Sequence, residues 1–343
     1  MGRSNLNCVI LAIAVVGLFQ GKLHAQDAGS TTFTLAPSNY SGWFKTAFQE
    51  GNGNGKEKKN GKDNGNGKDK DKEKEGPKHI RDNAFLVEEA FNQETDEAQH
   101  IFNWVFLWDR TQMGRTRDFA WTYTLELPLG SQKHQFSLTA QFLTTLDKPN
   151  GSPATRQGDI GDTFLNYRYQ LLDDDDFLWC APRFSLILPT ADRRFGLGNG
   201  QLGYQFNLPV SRYGEDFDFH FNAGYTYVPG VSAPLGAGGF SDRFNLTGYN
   251  LGASVFWKPQ TYLHFFVETL ALWNDAIDDE GVRNHVTQVF VNPGVRWAVI
   301  QDPMEWVLGI SLPVGLTRDT PDIGVFVYMS IEHGYRKKNG NGD

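Results

Sequence analysis

The sequence predicts an all-β protein: a transmembrane antiparallel β-barrel of about twelve strands, with a disordered N-terminal tether. Three observations predict it. Long segments alternate apolar and polar residues with period two. Short connections alternate with longer ones. Beyond the N-terminus no stretch approaches the ~20 consecutive apolar residues of a spanning helix.

Residues 1–25 read as a secretory signal. Arg3 charges the start, Val9 to Phe19 forms a short apolar run, and Ala25 offers a cleavage site before Gln26. Removal of that signal takes Cys8 with it. Cys180 is then the remaining cysteine, so no intramolecular disulfide is expected. A large exported chain without disulfides fits a Gram-negative-type envelope protein, and the cell outer membrane is the expected location.

Residues 26–50 form a polar leader with an aromatic knot of Tyr40, Trp43, Phe44 and Phe48. Residues 51–76 contain Gly, Asn, Lys, Asp and Glu and no apolar side chain. Such a stretch cannot bury a core and is expected to be a solvated linker. Contact with peptidoglycan through this linker is the alternative role. Residues 77–100 carry Glu88, Glu89, Asn92, Gln93, Glu94 and His100, and their period fits neither helix nor strand cleanly. They are expected to lie on the periplasmic surface, with insertion into the barrel as a plug as the other option.

Residues 101–335 are expected to form the barrel and 336–343 a tail. The strands are placed at Ile101–Asp109, Arg117–Leu127, His134–Thr145, Ile160–Leu171, Phe177–Leu188, Gln201–Val210, Phe217–Val228, Tyr249–Trp257, Thr261–Trp273, Val286–Val299, Glu305–Leu312 and Ile323–Tyr335. The clearest alternation is Phe217, Phe219, Phe221, Ala223, Tyr225 and Tyr227 against polar or small neighbours. Lipid explains such an apolar face, and Trp257, Trp273, Trp297, Trp306 and Tyr335 near strand ends then form interface girdles. A β-sandwich core is the rival explanation. It gives no reason for short connections such as Lys258–Gln260 and Gln301–Pro303 to alternate with long ones such as Leu146–Asp159 and Pro229–Gly248. An even strand number puts both termini on the periplasmic side.

Three stretches carry a family resemblance: Val87-Glu88-Glu89-Ala90-Phe91-Asn92-Gln93-Glu94 with Gln99-His100-Ile101; Gly158-Asp159-Ile160-Gly161-Asp162; and Leu188-Pro189-Thr190-Ala191-Asp192. From Phe85 onward the chain resembles the bacterial outer-membrane family named after a meta-pathway of phenol degradation, described as transporters. Ala191 departs from a small Gly expected there. The resemblance implies a porin-like outer-membrane protein for hydrophobic or aromatic compounds.

The net charge of −8 argues against nucleic acid as a partner. The polar strand faces collect Glu126, Arg168, Arg183, Asp218, His220, His264, Glu268, Arg296 and Glu305 as lumen-lining candidates. They form either a polar path for solute or an ion-paired filling of a small barrel. If a two-residue turn joins the strands around Gln301, Ala298 faces Glu305, and Arg296 becomes an inward partner of Glu305. No metal-ligand spacing, no cofactor motif and no G-x-S-x-G occurs. The expected function is passive passage of small molecules, with outer-membrane lipid and an unidentified solute as partners. A structural or surface-interaction barrel with a closed lumen is the alternative, and an outer-membrane enzyme the second.

Overall fold

Strands hold most of the described residues between Glu97 and Gly334 in the computed structural model, which describes residues 80, 82, 84–112, 114–173, 177–192, 197–232, 242–277, 281–300 and 304–335. The signal, leader, linker, tail and the Gln301–Pro303 turn lie outside the described residues. In chain order the strands are β1 (Glu97–Arg110), β2 (Gly114–Pro128), β3 (His134–Pro149), β4 (Thr155–Ile160), β5 (Thr163–Tyr169), β6 (Trp179–Cys180), β7 (Arg183–Leu188) and β8 (Gly203–Tyr213). They continue as β9 (Phe217–Ser232), β10 (Arg243–Gln260), β11 (Leu263–Ile277), β12 (Arg283–Ile300), β13 (Glu305–Ser311), β14 (Val314–Gly315) and β15 (Ile323–Gly334).

These segments form one antiparallel sheet that closes on itself, with β1 pairing β2 on one side and β15 on the other. Three staves are each built from two segments, β4 with β5, β6 with β7 and β13 with β14, so fifteen segments make a twelve-stave barrel. The breaks have local causes. Pro182 and Pro313 lack the N–H that a continuous ladder needs. At the third break Gly161 leaves the strand but still donates its N–H to Gln141 O at 2.8 Å. Glu97 lies opposite Gly334, so the chain enters and leaves the barrel at the same end.

The pleat sorts the side chains. On β2, Phe119, Trp121, Tyr123 and Leu125 point outward, while Ala120, Thr122, Thr124 and Glu126 are buried inside. The same sorting puts Phe217, Phe219, Phe221 and Tyr225 of β9 outside and Asp218, His220 and Asn222 inside. A closed barrel with this apolar outer wall is an outer-membrane barrel. In lipid each backbone polar group must be satisfied internally, and closure achieves that. No helix among the described residues is long and apolar enough to cross a membrane.

Two expectations are corrected. The long connections are shorter than the polar sequence suggested. β1 runs to Arg110 and β2 starts at Gly114, and β3 reaches Pro149 before β4 starts at Thr155. Strands of 18 residues, as in β10 and β12, exceed the ~9–11 that a bilayer requires. Pairing continues beyond the lipid because it satisfies backbone groups wherever the flanking side chains are solvated. The second correction concerns the hairpin of β12 and β13. Ile300 lies opposite Trp306, so the connection is longer than the two-residue turn expected. After a one-residue register shift between Ala298 and Ile300, Ala298 lies opposite Val307 and Arg296 opposite Gly309. Glu305 is thereby carried away from Arg296 and lies opposite Glu332.

Candidate functional site

Residues ahead of β1 thread the barrel interior. Ala84, Phe85, Leu86, Val87, Glu88, Glu89, Ala90, Phe91, Asn92 and Gln93 are all buried, yet none belongs to a strand or helix. The insertion option for this segment is therefore the one realised, and the surface-lying expectation is corrected. Residues through His100 were also expected to precede the first strand, but β1 already begins at Glu97.

A buried segment without secondary structure needs partners for its N–H and C=O groups. Inward side chains of the barrel supply them. Ile80 N donates to Thr261 O at the β10–β11 turn, 3.2 Å away. The Glu268 carboxylate of β11 accepts the N–H groups of Phe85, Leu86 and Val87 at 2.9, 2.9 and 3.3 Å. It also accepts Asn292 Nδ2 at 2.7 Å. Asn222 of β9 clamps Glu88, its Oδ1 accepting the amide at 2.6 Å and its Nδ2 donating to the carbonyl at 2.8 Å. Ser211 Oγ of β8 accepts Ala90 N at 2.8 Å. Arg168 Nη1 of β5 donates to Phe91 O at 2.9 Å. Gln170 Oε1 accepts Asn92 N at 2.8 Å, and Gln135 Oε1 of β3 accepts Gln93 N at 2.6 Å. The segment thus sweeps around the inner wall and returns to the terminal end, where Asn92 Nδ2 donates to Gln132 O at 3.0 Å.

Two carboxylates of the segment are ion-paired with the wall. Glu88 meets Arg183, whose Nε donates to both carboxylate oxygens at 2.9 and 3.1 Å, and Arg168 stands 3.6 Å away. Glu89 meets Arg296 Nη1 at 2.8 Å and accepts the Tyr213 hydroxyl at 3.1 Å. Burying such charges is costly, so these pairs fix geometry more than they add stability, and removing one partner leaves the other stranded. Asp82 accepts Gln99 Nε2 at 2.8 Å and the Tyr328 hydroxyl at 2.6 Å, and it also accepts the Ser330 hydroxyl.

Apolar contacts anchor the same stretch. The Phe85 ring lies 4.5 Å from Phe266, 4.9 Å from Phe326 and 5.2 Å from Tyr328, centroid to centroid. It fits because position 309 is glycine, where an added Cβ would come within 2.3 Å of the Phe85 ring. Val87 rests beside Gly252 of β10 in the same way, 3.0 Å from where a Cβ would stand.

The predicted residues divide. Arg168, Arg183, Glu268 and Arg296 touch the segment directly. Glu126 acts one step removed, accepting Gln135 Nε2 at 2.7 Å. His220 is buried with Nε2 3.7 Å from Glu89, and His264 Nδ1 accepts Arg296 Nε at 3.4 Å. Asp218 instead pairs with Lys258 at 2.7 Å and caps Gly214 N at 3.1 Å, securing the β8–β9 turn. Glu305 has moved away, as described. Sequence reasoning missed Asp82, Ser211, Asn222, Gln135, Gln170 and Asn292 as holders of the segment. Their signal was present, since each wall residue among them is polar on a face that turns inward or next to a strand end.

Ser211 Oγ and His220 Nδ1 are 2.8 Å apart, and with Glu89 they make a Ser–His–carboxylate row. The row is not a nucleophile centre. Ser211 is buried, and its oxygen is occupied by Ala90 N–H. No group of three or more His, Cys, Asp or Glu among the described residues is suited to a metal ion.

The rest of the interior mixes polar and apolar residues, with Leu107 opposite Asp118 and Leu272 opposite Gln288, all four buried. Val105, Leu107, Leu143, Leu272 and Phe290 face inward, and Leu197 from the β7–β8 connection is buried against them. That connection is pinned by Ala191 N donating to Asp162 Oδ1 at 3.2 Å and Thr190 Oγ1 donating to Gly161 O at 3.0 Å.

No family model matches the chain, and no curated protein matches it in sequence. Solved structures superpose on the chain to different degrees. The COG4313 outer membrane channel from Pseudomonas putida F1 superposes with a TM-score of 0.57 at 10% identity, covering 71% of this chain and 97% of the channel. The transport unit of the autotransporter AIDA-I from Escherichia coli gives a TM-score of 0.46 at 10% identity, over 71% and 91% of the two chains. The toluene transporter TbuX from Ralstonia pickettii gives 0.38 at 10% identity, over 71% and 90%.

Proposed function

We propose that this protein is an outer-membrane channel for small apolar molecules, closed at rest by its own residues 84–94. Passage then requires that segment to shift. The observation that carries this reading is the segment inside the barrel, which from Ala84 onward is held through side chains of the wall, outside the strand ladder. Contacts of that kind can be exchanged without breaking the barrel. Beyond the segment Val105, Leu107, Leu143, Leu272 and Phe290 form an apolar group suited to a solute of low polarity, set among polar inward residues such as Asp118 and Gln288.

In this reading Arg168, Arg183, Glu268 and Arg296 line the interior as the docking points of the segment, with Glu126, His220 and His264 supporting them. Kinship with the phenol-pathway transporter family, and hydrophobic or aromatic compounds as solutes, belong to the same proposal. A structural barrel with a permanently closed lumen is the second reading, favoured by the buried Glu88–Arg183 and Glu89–Arg296 pairs.

Cysteines at Val87 and Gly252, where Val87 Cγ2 lies 3.0 Å from the place a Cβ at position 252 would take, separate the two. Under the channel reading, oxidation to a disulfide stops uptake of an apolar dye into proteoliposomes, and reduction restores it. Equal uptake in both redox states, or none in either, defeats the moving-segment channel.

A further inference from the structure

We propose that the outward face of β1–β4, at the end away from the termini, is a binding site for the phosphate groups of lipopolysaccharide. Arg110, Arg115, Arg117, Lys148 and Arg156 are all exposed there. The registers place them together. Arg110 lies directly opposite Arg115, which lies opposite Lys148 on its other side. In the adjoining row Trp108 lies opposite Arg117, Arg117 opposite Leu146, and Leu146 opposite Arg156. Residues opposite each other in an antiparallel pair share a face, with Cβ atoms about 5 Å apart. Five cations thus occupy two neighbouring rows on four consecutive strands.

Like charges placed directly opposite destabilise a sheet unless an anion bridges them. Asp109, Asp118, Asp147 and Asp159 fall on the opposite parity, where Asp147 accepts Thr116 Oγ1 at 3.3 Å. Asp322 is the acid on the flank, and it accepts the Arg110 backbone N–H at 3.1 Å. The sector of β11 and β12 contrasts with this one, since there Asp275 is placed 2.7 Å from His285.

The height of the patch identifies the ligand. Immediately below it on the same face lie Trp108, Phe106 and Phe119, the last two 4.9 Å apart, with Trp121 and Phe142 beyond. Aromatic side chains of this kind mark the boundary between acyl chains and headgroups. Arg110, Arg115 and Lys148 stand two residues above Trp108 and Arg117, about 7 Å further out. Guanidinium forks at that level match phosphate oxygens bidentately. Both termini lie at the other end, the periplasmic end in barrels of this type, so the patch meets the outer leaflet. The phosphates present there are those of a phosphorylated glycolipid.

The test uses the full-length protein in detergent, titrated with lipopolysaccharide and with the same lipid after enzymatic removal of its phosphates. Binding should depend on the phosphates and weaken as salt is raised. Arg115→Gln/Arg117→Gln/Lys148→Gln should bind about a hundredfold more weakly, roughly fivefold per charge removed, while keeping the heat-modifiable migration of a folded barrel. Equal binding of the dephosphorylated lipid overturns the proposal, and needs no variant. So does binding by a folded triple variant within twofold of the parent. Equal affinity for phosphatidylglycerol vesicles, or full competition by inorganic phosphate, overturns it by showing an unspecific anionic contact.

Discussion

Replacing Arg183 with Met tests whether the threaded segment is a separable part. Arg183 holds Glu88 through two Nε contacts of 2.9 and 3.1 Å and is itself braced by Gln205 Oε1 at 3.0 Å. Removing one partner of a buried ion pair costs about 3–5 kcal/mol. Arg168 remains 3.6 Å from Glu88 and keeps part of the charge compensated, so the lower figure applies. A loss of about 3 kcal/mol, charged to docking of the segment, raises its undocked population about 150-fold. The reporter is a cysteine at Val87 in a Cys180→Ala background, labelled by a membrane-impermeant maleimide. The labelling rate should rise by about that factor in Arg183→Met. It should fall only part of the way back in Glu88→Met/Arg183→Met, where no carboxylate is stranded but Arg168 loses the one 3.6 Å away. If labelling stays within twofold and the barrel's own unfolding temperature drops instead, the segment is fused to the barrel and the reasoning fails.

Phe85→Ala removes a ring seated among Phe266, Phe326 and Tyr328, at about 3–5 kcal/mol for a buried Phe. The same reporter should label faster, with heat-modifiable migration retained. Leu251→Arg puts a charge on the outward face of β10 and should destabilise the barrel by about 2–4 kcal/mol in lipid, read by denaturant unfolding in vesicles. Asp218→Asn should loosen the β8–β9 turn, seen as faster amide exchange at Gly214, and leave labelling at position 87 unchanged.

The barrel was legible because lipid imposes a rule on every second residue. Phe217 to Tyr227 displays it without interruption, and such runs fixed strand identity and facing. Strand ends were less legible. Around Arg115, Asp147, Lys148 and Arg156 the sequence is as polar as a loop, yet the backbone stays paired because hydrogen bonding does not depend on side-chain polarity. The Arg296–Glu305 pairing failed because the connection after Ile300 is longer than two residues, with Ile300 opposite Trp306, and because the ladder shifts by one at Ala298–Ile300; no periodicity announces either. The threaded segment was hardest. Phe85-Leu86-Val87-Glu88-Glu89-Ala90-Phe91 has no period because its conformation is dictated by Glu268, Asn222, Ser211 and Arg168, residues far away in sequence.

Asp82 has a consequence for how the molecule is assembled. One of its carboxylate oxygens takes the amide of Gln99 on β1, and the same carboxylate takes the hydroxyls of Tyr328 and Ser330 on β15. Those are the two strands whose pairing shuts the cylinder. The N-terminal segment therefore bridges the first and last strands from within, like a rivet across the join. Arrival of the final strand and seating of the segment become one cooperative step. A chain that closed without residue 82 in place would leave three inward polar groups at the join without their shared acceptor. Asp82 is then also the natural pivot, so that Glu88 and the residues after it can swing while the join stays fastened.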